Sequence, residues 1–336
     1  MKIGIVNDLP IAVEMLRRVL SLQPEHQVIW VANDGEQAVD LCAWQTPDLV
    51  LMDLVMPSMD GVEATRRIMK QTPCAILIVT VDVGVNAGRV YAAMGHGALD
   101  AVDTPALLNG DLNKSAAPLL AKINAIGKLV SALPGKLNIA KKTPAVMADA
   151  SSSLVTIGAS AGGPAALATV LRRLPANFPA AVVVIQHIDA AFAAGMADWL
   201  NQQSALPVRL AKEGDQAVAG TVLVAGTNHH LLLKSADKFG YAPGAVDDLY
   251  QPSIDVLFQS VVQLWRGKAV GVLLTGMGRD GAIGLKAMRN KGYHTIAQDR
   301  KSSAVYGMPK AAATLDAAVD ILPVGLIAQK LISVFA

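Results

Sequence analysis

The sequence is short of aromatic residues, of cysteine and of net charge, and each shortage narrows what the chain can be. Only 4% of its 336 residues are Phe, Trp or Tyr, although 52% are hydrophobic. Its cores must therefore be built from Ala, Val, Leu, Ile and Met. The formal net charge is +2, and no long basic run occurs. The chain thus lacks the electrostatic footprint of a nucleic-acid binder or of a protein held on an anionic membrane surface. There are two cysteines, Cys42 and Cys74, both in apolar surroundings. They read as buried free thiols in a reducing compartment, not as a disulfide or a metal site. No apolar run approaches the length of a membrane span. Met1–Val6 has the character of a strand and not of a signal peptide. A soluble, cytoplasmic protein of two domains is expected.

What is present centres on Leu154-Val155-Thr156-Ile157-Gly158-Ala159-Ser160-Ala161-Gly162-Gly163-Pro164. An aliphatic strand runs into a turn of small residues, and a helix is expected to follow from Pro164 to Leu174. Pro164 suits the first helical turn, where no N–H is needed. Ser160 then sits at the carboxyl end of a strand beside the free N–H groups of a helix start. Nucleophilic serines of α/β sheets are held in this way. A phosphate-binding or purely structural turn has the same local pattern.

Residues 1–131 alternate strand and helix. Strands are expected at Ile3–Val6, Val28–Val31, Leu49–Met52, Ile76–Val79 and Ala98–Val102. Helices are expected at Pro10–Leu22, Gly35–Trp44, Gly61–Lys70, around Arg89–Met94 and at Ala116–Leu133. Strands of continuous apolar character imply a parallel sheet covered on both faces. Ligands of such sheets bind beyond the carboxyl ends of the strands. Asn7, Asp8, Asp53, Thr80, Asp103 and Thr104 stand at those ends. Asp8 and Asp53 together suit Mg2+, and an Asp facing a cation can attack a phosphoryl group.

This region resembles a two-component receiver domain, most specifically in Leu51-Met52-Asp53-Leu54-Val55-Met56-Pro57-Ser58-Met59-Asp60-Gly61. The resemblance implies that Asp53 accepts phosphoryl from a sensor histidine kinase of the CheA type. It implies that Asp8, Asp53 and the Val55 carbonyl hold Mg2+, and that Thr80 is the switch hydroxyl. The sequence departs from the pattern at Asn7, where a second acid is usual. It departs again at Thr104, where a Lys is usual, and at Ala101, where many receivers carry an aromatic. Thr104 offers the phosphoryl oxygens a neutral hydrogen bond, about half as strong as a charge-assisted one.

Residues 132–153, with Pro134-Gly135, Lys141-Lys142, Pro144 and Ser151-Ser152-Ser153, read as a linker. The second domain, 154–336, continues with the apolar run Ala181–Gln186 ending at His187, and a helix at Ala190–Gln203. A strand-rich and partly antiparallel patch is expected over Val208–Leu210, Thr221–Ala225, Leu231–Lys234 and Phe239–Tyr241. A helix at Ser253–Trp265 has Ser253 as N-cap. Strand Val270–Leu274 opens into Thr275-Gly276-Met277-Gly278-Arg279-Asp280-Gly281, followed by helix Ala282–Asn290. Strands His294–Ala297 and Val319–Leu322 and helix Val324–Phe335 complete the set.

Ser160, His187 and Asp280 each lie just beyond the carboxyl end of an apolar strand. A serine needs a base, imidazole serves near neutral pH, and a carboxylate fixes the imidazole tautomer. His229, His230 and His294 are competing bases, and the order serine, acid, histidine would pair Asp280 with His294. Chain order alone leaves the choice open.

Residues 154 to about 325 are similar to the catalytic domain of the chemotaxis-type protein-glutamate methylesterases, the CheB family. The matching segments are Gly158–Gly163, Gln186-His187, Pro252–Phe258, Leu274–Gly281, Gln298 and Tyr306-Gly307-Met308-Pro309. Gly4–Asp8 and Met94–Val102 look closest to the WspF branch, which serves a pathway feeding a diguanylate cyclase. The resemblance implies a response regulator that hydrolyses glutamyl methyl esters, and deamidates glutamines, on chemoreceptor-type proteins. Ser160 would be the nucleophile, His187 the base and Asp280 its partner, with the Ala161 and Met277 N–H groups as oxyanion hole and no cofactor for the ester chemistry. The expected fold is two doubly wound parallel α/β domains, a flavodoxin-like receiver and a Rossmann-like methylesterase with a small antiparallel patch. Two other readings remain beside it. One is a non-enzymatic, receiver-controlled binding protein. The other is an esterase acting on a small-molecule ester.

Overall fold

A computed structural model describes residues 1–105, 112–130, 153–244 and 250–336. The chain divides into two compact units, 1–137 and 138–336. Apart from Ser153, the expected linker lies outside the described residues, as do Ser131–Leu133 at the end of the expected fifth helix.

In the first unit, β1 (Lys2–Val6), α1 (Pro10–Ser21), β2 (Gln27–Ala32), α2 (Gly35–Trp44) and β3 (Leu49–Met52) are followed by α3 (Gly61–Gln71), β4 (Ala75–Thr80), α4 (Ala87–Gly95), β5 (Asp100–Asp103) and α5 (Leu112–Val130). The sheet order is β2-β1-β3-β4-β5, parallel throughout. Ile3 and Ile5, Leu49 and Leu51, and Leu77 and Val79 alternate onto one face, where they meet Leu16, Val19 and Leu20 of α1 and Leu119, Ile123 and Ile126 of α5. Helices α2, α3 and α4 pack on one another in turn. The strand order reverses between β1 and β3, and this is where such sheets bind ligands. Asn7–Asp8 and Asp53 follow those two strands. Helix α5 begins four residues before the expected Ala116 and carries Pro118 inside it.

In the second unit, β6 (Ser153–Ala159), α6 (Gly163–Leu171), β7 (Ala180–Gln186), α7 (Ala190–Gln203), β8 (Val208–Leu210), β9 (Val222–Val224), β10 (His230–Leu233) and β11 (Phe239–Ala242) come first. They are followed by α8 (Ile254–Leu264), β12 (Ala269–Leu273), α9 (Ala282–Asn290), β13 (His294–Gln298), α10 (Met308–Thr314), β14 (Asp320–Leu322) and α11 (Val324–Phe335). Seven strands form a parallel sheet in the order β14-β13-β12-β6-β7-β9-β8. Among the described strands only β10 and β11 pair antiparallel, as a separate hairpin. The expected strand-rich patch is therefore split. Its first two strands extend the parallel sheet, because Val222–Val224 pairs with both β7 and β8. Every residue of β7 is buried. Ala181, Val183 and Ile185 point to the side where Leu257, Phe258, Val261 and Trp265 of α8 and Leu285 and Met288 of α9 pack. Burying each large aliphatic contributes about 1.5–3 kcal/mol, so this strand set fixes the sheet centre. The short helix α10 has no counterpart in the sequence reading. Its seven residues carry too little periodicity, and Pro309 lies in its first turn. No helix among the described residues is long and apolar enough to cross a membrane.

The chain builds outward from β6, through β7 on one side and through β12 on the other. Strands β12, β6 and β7 are consequently neighbours at the sheet centre, and their carboxyl ends open at one edge.

Candidate active site

Those three ends carry Asp280, Ser160 and His187. Ala159 pairs in register with Gln186, so Ser160 and His187 follow side by side. The His187 N–H donates to the Ala159 carbonyl at 3.0 Å, and the Ser160 N–H to the Thr275 carbonyl at 3.0 Å. The loop after β12 approaches Ser160 closely because Gly276 has no side chain. A Cβ there would stand 2.7 Å from the Ser160 Cβ.

His187 Nε2 lies 2.8 Å from Asp280 Oδ2. An ionised carboxylate only accepts, so in the neutral ring Nε2 carries the hydrogen and Nδ1 keeps the lone pair. Nδ1 is buried and has no protein partner among the described residues. It is a basic nitrogen with nothing yet to accept from.

Asp280 is itself held by the start of α8. Ser253 Oγ donates to its Oδ1 at 2.9 Å, the Ile254 N–H to Oδ2 at 2.6 Å and the Asp255 N–H to Oδ1 at 3.1 Å. A helix N-terminus favours an anion. Burial alone would push the Asp280 carboxyl up, but the bond and charge of His187, with the Ile254 and Asp255 N–H groups, hold it below the usual range. Asp255 sits next to this group. Burial and the Asp280 charge push its carboxyl up to about 6, against the pull of the Gly284, Gly281 and Ile283 N–H groups at the start of α9.

A trans peptide turns a carbonyl and the next N–H to opposite sides. The Ser160 carbonyl accepts from the Gly163 N–H at 2.7 Å and from Gln186 Nε2 at 2.8 Å. The Gly276 carbonyl accepts from the Gly307 and Met308 N–H groups at 3.1 and 2.8 Å. The N–H groups of Ala161 and Met277 are thereby turned away from those partners. Among the described residues neither donates to another backbone group.

The competing histidines are placed elsewhere. His294 begins β13 opposite Val270, at the amino edge of the sheet, and binds Asp320 at 2.8 Å. His230 is buried with Nδ1 accepting from the Ser253 N–H at 3.0 Å. His229 is exposed.

Three contributors escaped the sequence reading. Ser253 was legible as an N-cap, but its bond to Asp280 spans 27 residues. Gln186 ties the two site loops together, since Nε2 also reaches the His187 carbonyl at 3.2 Å. Tyr250 stacks on the imidazole of His187, with ring centroids 4.8 Å apart. Nothing in its local sequence marks that contact.

In the first unit, Asp53 is buried. Its Oδ1 accepts from the Leu54 N–H at 2.7 Å and its Oδ2 from Asn7 Nδ2 at 3.1 Å. Burial pushes its carboxyl up, the Leu54 and Val55 N–H groups pull it down, and the Asp8 charge pushes it up again. Asp8 and Asp53 therefore feel each other across the β1/β3 crevice. Two carboxylates whose repulsion a cation would relieve, with the carbonyl of exposed Val55, form a donor set that fits Mg2+. Thr80 is buried and its hydroxyl accepts from Asn86 Nδ2 at 3.1 Å. The Thr104 N–H donates to the Thr80 carbonyl at 2.7 Å.

Residues 155–331 match the CheB methylesterase family, and residues 3–108 match the response regulator receiver domain. The chain belongs to the CheB methylesterase family. Among its relatives is the protein-glutamate methylesterase/protein-glutamine glutaminase 2 of Pseudomonas syringae, 59% identical over 100% of this chain and 99% of that protein. Another is the protein-glutamate methylesterase/protein-glutamine glutaminase of the group 3 operon of Pseudomonas putida, 60% identical over 100% of both. Among solved structures, the CheB methylesterase catalytic domain of Thermotoga maritima superposes with a TM-score of 0.53 at 34% identity, covering 55% of this chain and 99% of that one. These likenesses join the family to the strand order and edge described above, and the receiver to the sheet that carries Asp53.

Proposed function

We propose that this protein is a phosphorylation-regulated hydrolase of glutamyl methyl esters on chemoreceptor-type proteins, and that it also deamidates receptor glutamines. The carrying observation is the His187–Asp280 pair beside Ser160, with His187 Nδ1 buried and unpartnered among the described residues. Ser160 Oγ attacks the ester carbonyl while its proton passes to His187 Nδ1. The Ala161 and Met277 N–H groups donate to the oxyanion, each such donor contributing about 3 kcal/mol to the transition state. Collapse breaks the C–O bond, and the imidazolium proton leaves with methanol. Water then attacks the acyl-serine, again through His187, and frees the glutamate side chain. With a glutamine substrate the leaving group is ammonia. Asp280 stabilises the imidazolium and fixes its tautomer.

The domain division proposed is a receiver over 1–131, a linker over 132–153 and a catalytic domain over 154–336. Asp53 accepts phosphoryl from a histidine kinase of the CheA type. Asp8, Asp53 and the Val55 carbonyl would hold Mg2+, which balances charge on phosphoryl oxygens. Thr80 and Thr104 are the switch residues. The segments Gly4–Asp8 and Met94–Val102 favour the WspF branch, and the cytoplasm is where kinase and receptor signalling domains meet such a protein. The test is methanol release from a receptor cytoplasmic fragment carrying glutamyl methyl esters, with and without a small-molecule phosphodonor. Release that rises with the phosphodonor is expected, and no release in either condition refutes the proposal.

A further inference from the structure

The ring of Tyr250 lies over His187, with centroids 4.8 Å apart and planes 12° from parallel. Offset-parallel stacking of flat rings is a preferred aromatic geometry. The contact is one part of a built arrangement. The Tyr250 hydroxyl end packs against Gly278, two residues before Asp280. Its place exists because residue 278 is glycine. A Cβ on Gly278 would stand 2.1 Å from the Tyr250 oxygen, and the backbone there has φ +84°, a conformation that glycine adopts without strain. One tyrosine thus bridges the base and the loop that carries the base's carboxylate and the Met277 N–H.

The imidazole needs such support. Its protein hydrogen bond is made at Nε2 to Asp280, while Nδ1 has no partner among the described residues. A ring held at one edge can tilt about that bond, and with His187 as the base such a tilt moves Nδ1 away from where it must take the Ser160 proton. Misplacement of a catalytic group by about 1 Å can cost on the order of a hundredfold in rate. A flat ring on its face removes this freedom and keeps water off that face.

We infer that Tyr250 is a positioning residue for the base, fixing the plane of the His187 imidazole through stacking while its hydroxyl end packs against Gly278 of the loop that leads to Asp280. The inference rests on His187 being the base. It assigns the work to the ring and only a minor share to the hydroxyl, since the contact with His187 is made ring to ring.

The test uses the full-length protein, activated with a small-molecule phosphodonor, on a receptor fragment carrying radiolabelled glutamyl methyl esters. Tyr250→Ala is expected to lower kcat about ten- to a hundredfold with KM within about twofold, because the substrate is still bound and the base is not aligned. Tyr250→Phe, which keeps the ring, is expected to stay within about threefold of wild type. Tyr250→Leu, which keeps bulk without a flat ring, should follow the alanine variant and serves if that variant does not fold. His187→Ala, measured in parallel, separates the two claims. Near-wild-type turnover by His187→Ala overturns both. A dead His187→Ala beside a wild-type Tyr250→Leu overturns the positioning role alone. So does a Tyr250→Phe variant as slow as Tyr250→Leu.

Discussion

His187 and His294 each bind a carboxylate at 2.8 Å, so pairing with an acid does not distinguish them. Position does. His187 follows the carboxyl end of β7 next to Ser160, whereas His294 starts β13 at the other edge. His187→Ala should therefore reduce ester turnover by at least about a thousandfold, while His294→Ala should leave it within a few-fold of wild type. Steady-state rates on a methylated receptor fragment check this, and the reverse ranking would move the base to His294. A second residue-scale prediction concerns Asp255, whose folded pKa is raised to about 6 from an ordinary 3.8. A raised carboxyl binds its proton more tightly in the folded state. Its contribution to stability is complete below about pH 4 and is lost as pH rises through 6. Asp255→Asn removes that titration. Its melting temperature relative to wild type should rise between pH 4 and 7, on the order of a few degrees, and be flat above. A difference independent of pH would show that Asp255 is not the group titrating. The contrast between legible and hidden residues is plain here. That Ser160, His187 and Asp280 follow strand ends could be read because strands are visible as apolar runs, whereas the choice of His187 over the other histidines came from the family resemblance. Tyr250 and the Gln186 bridge could not be read, because each acts across a distance in space that has no local sequence pattern.

At the scale of elements, the start of α8 does two things at once. Ser253 Oγ accepts from the Val256 N–H at 3.4 Å as N-cap and donates to Asp280 at 2.9 Å. Ser253→Ala should cost about 1 kcal/mol of stability from the cap and lower kcat several-fold as the carboxylate loses one of its donors. Thermal unfolding and turnover together check this. A stability loss with unchanged kcat would confine Ser253 to capping. Elements with strong periodicity were legible to within a residue or two, as at α1, α7, α8 and α9. Where local pattern was thin, the long-range partner decided. Val208–Leu210 and Thr221–Ala225 look like hairpin strands until β7 offers a parallel edge. Helix α10 is anchored by Met308 N–H donation to the Gly276 carbonyl, which no reading of residues 308–314 reveals.

For the molecule as a whole, the proposed regulation turns on how strongly a phosphoryl group on Asp53 would reach the ester site. Asn7 contacts Asp53 through a neutral amide, and Thr104 stands where the receiver pattern has a cation. The phosphoryl group should accordingly stimulate the esterase less than it would with a lysine present. Thr104→Lys should strengthen the response, through a charge-assisted bond of about 1–3 kcal/mol. The measurement is the ratio of ester hydrolysis with and without a small-molecule phosphodonor. An unchanged ratio in the lysine variant would contradict the argument from the missing cation.

The central claim is that Ser160 is the nucleophile of a glutamyl methyl esterase. Alanine fits a turn already made of Ala159, Ala161, Gly162 and Gly163, so Ser160→Ala should fold as wild type does. The decisive measurement is methanol released per unit time from one methylated receptor fragment by wild type and by Ser160→Ala. Release by wild type is expected, with a loss in the variant of up to about a million-fold. Release by Ser160→Ala at a rate near wild type would contradict it.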